Sequence, residues 1–190
     1  VAIERDSMRA RPVGRNVIMR MHQNLEKWKA QFDFDQVIPK NSVRHMPTWA
    51  PSGRDAILVD IDGTLAHMTT RGPFDWSAVG EDSPVYQVIS AVNALRESGK
   101  YMIVISGRDG VCRPETENWL RSHGVKFDEL FMRAPNDMRK DSIIKKEIFD
   151  REIKGKYNVM AVFDDREQVV KTWRGLGLYV FDCNQSGMKF

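Results

Sequence analysis

Two hydrophobic periods alternate along most of this chain. Short, nearly continuous apolar runs at 56–59, 101–105, 130–132, 158–163 and 178–181 predict five strands buried on both faces. Between them apolar residues recur at helical spacing. Val85, Val88, Ile89, Val92 and Leu95 follow a start signal at Ser83 and Pro84 and stop at Gly99. A second helix spans 114–123 and is closed by Gly124. A third, over 137–153, carries Ile143, Ile144 and Ile148, and a fourth carries Val169, Val170 and Trp173 before Gly175 and Gly177. This alternation predicts an α/β fold: a Rossmann-like five-stranded parallel sheet with helices on both faces.

The flanking pattern divides the chain. In an arm at 1–30, Val17, Ile18, Met21, Leu25 and Trp28 predict an amphipathic helix behind a basic stretch with Arg5, Arg9 and Arg11. From 31 to 53 periodicity disappears and Pro39, Pro47 and Pro51 interrupt any regular element, which predicts a linker. The compact domain is expected over 54–190. Within it, residues 66–81 have no period and contain Gly72, Pro73 and Gly80, a loop without the aromatic-rich run from which base stacking could be argued.

Three polar clusters each follow a predicted strand: Asp60-Ile61-Asp62-Gly63-Thr64-Leu65, Ser106-Gly107-Arg108 and Asp164-Asp165-Arg166. Each alone also has an ordinary reading as a turn or helix cap. In a parallel sheet, however, all strand carboxyl ends share one edge, so Asp60, Ser106 and Asp164 are expected to meet in one crevice. Closely spaced carboxylates suit a hard cation such as Mg2+, with one oxygen free to act as a nucleophile. Asp60, Asp62, Asp164 and Asp165 are the expected metal site, and the first pair the expected source of the nucleophile and of the proton-transferring group. Thr64 and Ser106 can donate to a phosphoryl group, and Lys140 is placed to offset its charge, with Lys145 and Lys146 nearby.

Composition narrows the class. The chain has 190 residues, 42% of them hydrophobic, enough for one domain plus an arm. It has no apolar stretch of membrane-spanning length and no apolar segment of signal-peptide type near its start, so a cytoplasmic protein without a membrane partner is expected. Its two cysteines, Cys112 and Cys183, lack metal-ligand spacing. A net charge of +3 permits a polyanionic partner without requiring one.

The D-x-D-G-T-L run at 60–65 resembles the first motif of the haloacid dehalogenase superfamily, which implies an aspartyl-phosphate at Asp60, proton transfer by Asp62, and a small flap over the site instead of a large cap. A closer resemblance covers most of 55–180. D-I-D-G-T-L-A-H-M followed by R-G-P-F-D, then Ser106-Gly107-Arg108, then Arg139-Lys140-Asp141 through Lys145 and Glu147-Ile148-Phe149, then Asp164-Asp165-Arg166 through Trp173 are similar to the 3′-phosphatase domains of phage polynucleotide kinase/phosphatases. That resemblance implies Arg71, Arg108 and Asp137 as substrate-binding residues. It also implies Mg2+ as cofactor, nucleic-acid 3′ ends (DNA or RNA) as substrate, action on 2′,3′-cyclic phosphates as an added activity, and homo-oligomerisation. Arg5 and Arg9 resemble lid arginines of the attached kinase domain. With no G-x-x-x-x-G-K-[ST] run in the chain, an upstream kinase domain is expected outside it. The segment at 109–119 is shorter than in the phage enzymes. Two rival readings are a phosphatase of a small metabolite or free nucleotide and a non-catalytic module that binds phosphorylated ends.

Overall fold

A computed structural model describes Asp6, residues 12–31 and residues 53–185. The chain forms two units, Val1–Arg44 and His45–Phe190. In the first, helix α1 (Arg15–Gln31) begins after Gly14, whose φ of 89° suits a residue without a Cβ. The Asp6 carboxylate accepts from the backbone N–H groups of Val13 (3.0 Å) and Gly14 (2.8 Å), which fixes the approach to the helix. Arg5 and Arg9, residues 32–52 of the linker expected at 31–53, and the side chains of Leu25 and Trp28 lie outside the described residues.

The second unit is built on a sheet of five parallel strands in the order β5-β4-β1-β6-β7. They are β1 (Arg54–Val59), β4 (Tyr101–Asp109), β5 (Glu129–Arg133), β6 (Tyr157–Asp164) and β7 (Val180–Asp182). Strand β1 is central because its residues alternate between two cores. Ile57 and Val59 pack with Ile89, Val92, Trp119 and Leu120 of α2 (Tyr86–Glu97) and α3 (Arg113–Ser122). Ala56 and Leu58 pack with Ile144, Ile148, Val169 and Trp173 of α4 (Asp141–Ile148) and α5 (Glu167–Gly175). The chain runs outward from β1 through β4 to β5, then crosses to β6 and β7 on the other side. The crevice at that reversal is where ligands bind in open α/β sheets.

Four local differences from the sequence-based expectation have physical causes. Ser83 and Pro84 do not start a helix. They form β3 and pair antiparallel with β2 (Ala66–His67), closing the base of the 66–81 loop as a flap. Strand β4 runs on through Ser106-Gly107-Arg108, because β5 follows it with a register shift between Ser106 and Asp109, a bulge at the strand end. Helix α4 begins at Asp141, not 137: Asn136 sits at a φ of 62° and the Asp137 carboxylate accepts from the Arg139 N–H, a turn that delays the helix. It ends in a π-helical turn, Phe149–Ile153, that keeps Phe149 and Ile153 buried. Strand β7 starts late because the Leu178 N–H still bonds the Trp173 carbonyl at the close of α5.

Candidate active site

Asp60 is the first residue beyond β1, and its N–H bonds the Phe163 carbonyl at 2.9 Å, so the ladder with β6 fixes its position. Its side chain is buried. Lys145, on the inner face of α4 and only 1% exposed, places its ammonium 2.8 Å from Asp60 Oδ1 and 2.9 Å from Asp164 Oδ2. Asp141, one helical turn before Lys145, adds a third carboxylate at 3.5 Å. Burial alone would lower the Lys145 ammonium, but Asp141, Asp164 and Asp60 together hold it well above the ordinary lysine value.

The acids respond in the opposite sense. Burial pushes the Asp60 carboxyl well above the usual range. Lys145 pulls it back, while Asp164, Asp165 and Asp141 push the same way as burial. Asp165 is pushed up to about 6 by burial and by Asp164 beside it. Ligand oxygens of Asp60, Asp164 and Asp165 lie within 4.8 Å of one another. Three converging carboxylates that raise each other's affinity for positive charge fit a hard divalent cation, which these three residues can hold. Gly63 is part of the fit: at a φ of 88°, a Cβ there would land on the Asp165 carboxylate. Asp164 is fixed from behind, accepting from Trp173 Nε1 at 3.1 Å and from the Arg166 N–H at 3.2 Å.

Asp62 does not join this group. Its carboxylate accepts from Arg71 Nη2 at 2.8 Å and from Arg108 Nε and Nη2 at 2.8–3.2 Å. Both guanidinium groups are fully buried, and both also hold Asp82, which accepts from Arg71 Nε and Nη2 and from Arg108 Nη2 at 2.7–3.1 Å. Two arginines and two aspartates thus form a closed, charge-balanced cluster with Asp62 as the member 22% exposed toward the crevice. Arg71 and Arg108, expected as substrate-binding residues, bond to Asp62 and Asp82, and the Asp62 carboxylate, expected as the fourth metal ligand, faces these two arginines. An Asp82→Ala variant strands the second charge of this buried pair. We expect a loss of about 3–5 kcal/mol in denaturant unfolding, with lower activity through a mobile Asp62.

The other expected residues separate. Thr64, fully buried, points its hydroxyl at Asp165 Oδ1 at 3.5 Å, and buried Ser106 accepts from the Arg108 N–H at 3.1 Å. Lys140 is exposed just before α4, and Lys145 occupies the place expected for it. Helical geometry decides between them, since Lys145 follows Asp141 by four residues and shares its buried face. Asp137 is drawn down to about 2 by the Arg139 side chain, with which it pairs at 2.7–3.1 Å, so its carboxylate is already occupied.

Sequence reasoning missed Asp82, Asp141 and Arg133. Asp82 lies in a stretch without period and offers no local signal. Asp141 offered one, the i,i+4 acid–lysine pair. Arg133 ends β5 and ties the site's floor together, donating to the carbonyls of Gly107, Asp137 and Arg139 at 2.6–2.7 Å.

A doubly covered parallel sheet with an acid just beyond its central strand and an acidic pair at the end of the next is the arrangement of the haloacid dehalogenase fold. The chain belongs to the family described as the polynucleotide kinase PNKP phosphatase domain, whose profile matches residues 54–187. It is 41% identical over 139 residues to a protein of Autographa californica nuclear polyhedrosis virus named as a bifunctional polynucleotide kinase/RNA ligase, covering 71% of this chain and 20% of that one. Two solved chains superpose with a TM-score of 0.71. One, from a Pnkp1/Rnl/Hen1 complex, is 38% identical over 75% of this chain and 50% of its own length. The other, from a Pnkp1/Rnl/Hen1 RNA repair complex, is 33% identical over 95% and 60%. A class C acid phosphatase from Bacillus anthracis, 14% identical with a TM-score of 0.51, shares the fold. The chain therefore spans only about 20% of the viral relative and 50–60% of these solved chains.

Proposed function

We propose that this chain is the 3′-phosphatase part of a longer nucleic-acid end-healing protein and that it removes terminal 3′-phosphates from RNA. The observation that carries the reading is Asp60, held by Lys145 beside Asp164 and Asp165 in a domain of the polynucleotide kinase phosphatase family. Preference for RNA ends, and a kinase domain elsewhere in the protein, rest on the names of the relatives.

Asp60 attacks phosphorus through a carboxylate oxygen, and the bond from phosphorus to the 3′ oxygen breaks. Asp62, aimed into the crevice by Arg71 and Arg108 and carrying a proton taken from solvent in the reacting form, delivers that proton to the same oxygen. It then takes a proton from water, whose oxygen attacks phosphorus, releasing inorganic phosphate and restoring Asp60. Lys145 fixes the attacking carboxylate and offsets its charge next to a dianionic ester. A divalent cation held by Asp60, Asp164 and Asp165 would supply further neutralisation of the phosphoryl oxygens.

Matched RNA oligonucleotides bearing a 3′-phosphate or a 5′-phosphate, with Mg2+ or chelator, test this directly. Metal-dependent phosphate release from the 3′ end alone is expected. Activity confined to small esters would return the substrate to a metabolite or free nucleotide, and inertness on both would favour an end-binding module.

The metal site has a pH signature. Asp165 titrates near 6 in the folded chain against 3.8 for the unshifted group, so between these values the folded state holds a proton the unfolded state has lost. Its contribution to stability is full below about 3.8 and disappears as pH rises through about 6. In chelator, the melting temperature of Asp165→Asn relative to wild type should therefore rise as pH increases from 4 to 7. Excess Mg2+ should stabilise wild type more than the variant and reverse that trend.

A further inference from the structure

The flap and the α4 entry leave apolar side chains in solvent beside the catalytic crevice. Phe74 is 75% exposed and Met138 is 81% exposed. Phe74 meets half-buried Trp76 edge to face, with ring centroids 6.2 Å apart. All three side chains line one cavity of about 370 Å3, with Gly107 and Arg166 in the same lining. Phe74, Trp76, Gly107 and Arg166 also line the smaller recess that contains Asp60 and Asp62, so the two spaces adjoin across a shared wall. The flap thus carries an aromatic pair that its sequence did not advertise, because Phe74 and Trp76 are separated by Asp75 and belong to no run.

Charge around this apolar wall leans positive, with Arg133, Arg139, Lys140 and Arg166 set against Asp109, Asp137 and Asp141 in the lining. Asp137 is matched by Arg139, which also pairs with Glu147, whereas Arg166 is 39% exposed, with Asp141 as its nearest acid at 3.7 Å. An aromatic and thioether wall, a cation at its edge and a reacting centre next door together suit one nucleoside of a single strand. Its base would lie on the wall and its backbone would pass the cation. The volume falls near the lower end of the range for ligand pockets, about 300–1,000 Å3, which suits one nucleoside and not a duplex end.

We propose that Phe74, Trp76 and Met138 form a sequence-tolerant base pocket for the terminal nucleotide, the one that carries the phosphate, with Arg166 beside its 5′ phosphate. This deepens the 3′-phosphatase reading and rests on it for the polarity of the strand. Because stacking needs an unpaired base, the pocket selects single-stranded or frayed ends over paired ones. Stacking also uses the π-face shared by all four bases, so the pocket does not read sequence.

The test uses the whole chain and two readouts. Oligonucleotides with a 3′-phosphate on 2-aminopurine, whose fluorescence is quenched by stacking, are titrated with the Asp60→Asn protein so that binding is seen without turnover. Separately, KM is compared for 3′-phosphorylated ends that carry a base or a tetrahydrofuran abasic residue. The proposal expects quenching on binding and a KM about tenfold lower for the base-bearing end. Phe74→Ala combined with Met138→Ala should abolish both differences. Binding without quenching, or a base preference that survives the double variant, overturns the pocket. Absence of phosphate release from any 3′ end overturns the 3′-phosphatase reading instead, and the fluorescence signal then still decides whether the wall stacks a base.

Discussion

Lys145→Met is expected to lower kcat for phosphate release by about 10²–10³-fold, whereas Lys140→Met should change it less than about threefold. The contrast follows from placement. Lys145 lies buried between Asp60, Asp141 and Asp164, and its removal takes away the ammonium that Asp60 and Asp164 share, leaving Asp141 with only the more distant Arg133 and Arg166 at 3.6 and 3.7 Å. Lys140 is exposed and outside that cluster. The variant should also lose about 3–5 kcal/mol in urea unfolding at neutral pH, the usual consequence of breaking a buried pair. The direction with pH is fixed by the raised ammonium. Its stabilisation is fully present below the unfolded lysine value of 10.5 and disappears as pH rises through the higher folded value, so at neutral pH the whole loss is visible. Because a divalent cation can neutralise the same acids, Mg2+ should restore part of the stability of Lys145→Met without restoring kcat. Equal kinetic damage from both substitutions would remove Lys145 from its assigned role.

The difference between these two lysines also shows what could be read from the chain. Strand-end placement of Asp60, Ser106 and Asp164 was legible because parallel strands buried on both faces announce themselves as apolar runs, and their shared polarity does the rest. The fold and the family followed from that phasing and from the motifs. Which lysine turns inward was legible only in part. The choice depends on where α4 begins, and the start was set by the Asn136–Asp137 turn and not by the Ile143-Ile144-Ile148 spacing. Asp82 was not legible at all. It reaches Arg71 across the flap and Arg108 across the sheet, 11 and 26 residues away, and no local pattern encodes a cluster closed by tertiary contacts. For the same reason the contacts of Arg71 and Arg108 with Asp62 could not be read from the chain. A guanidinium that binds substrate and one that holds a carboxylate have the same sequence signature, and only their partners distinguish them.

Asp60→Asn is expected to reduce phosphate release by about 10⁴-fold or more while leaving the domain folded and able to bind a 3′-phosphorylated strand. The amide retains the shape and an oxygen for Lys145 but cannot form the ester to phosphorus. Folding should not suffer. In the cation-free chain the Asp60 carboxyl is raised by burial and by three neighbouring acids, so its ionised form weakens the folded state as pH rises above the unfolded value of 3.8, and a neutral side chain removes that penalty. At neutral pH in chelator the variant should melt at or above the wild-type temperature, and Mg2+ should stabilise it less than wild type because one of the three ligands has lost its charge. A retained fold separates loss of the nucleophile from loss of structure. Borohydride reduction of acid-quenched wild-type enzyme during turnover should place homoserine at position 60, the mark of an acyl-phosphate there, and Asp60→Asn should give none. Asp62→Asn sharpens the assignment, because the first step with a good leaving group such as nitrophenolate needs no proton, whereas the second still needs a base. That variant should accumulate the label at Asp60 with the aryl ester and very little with the oligonucleotide, and an active Asp60→Asn protein would exclude Asp60 as the attacking group.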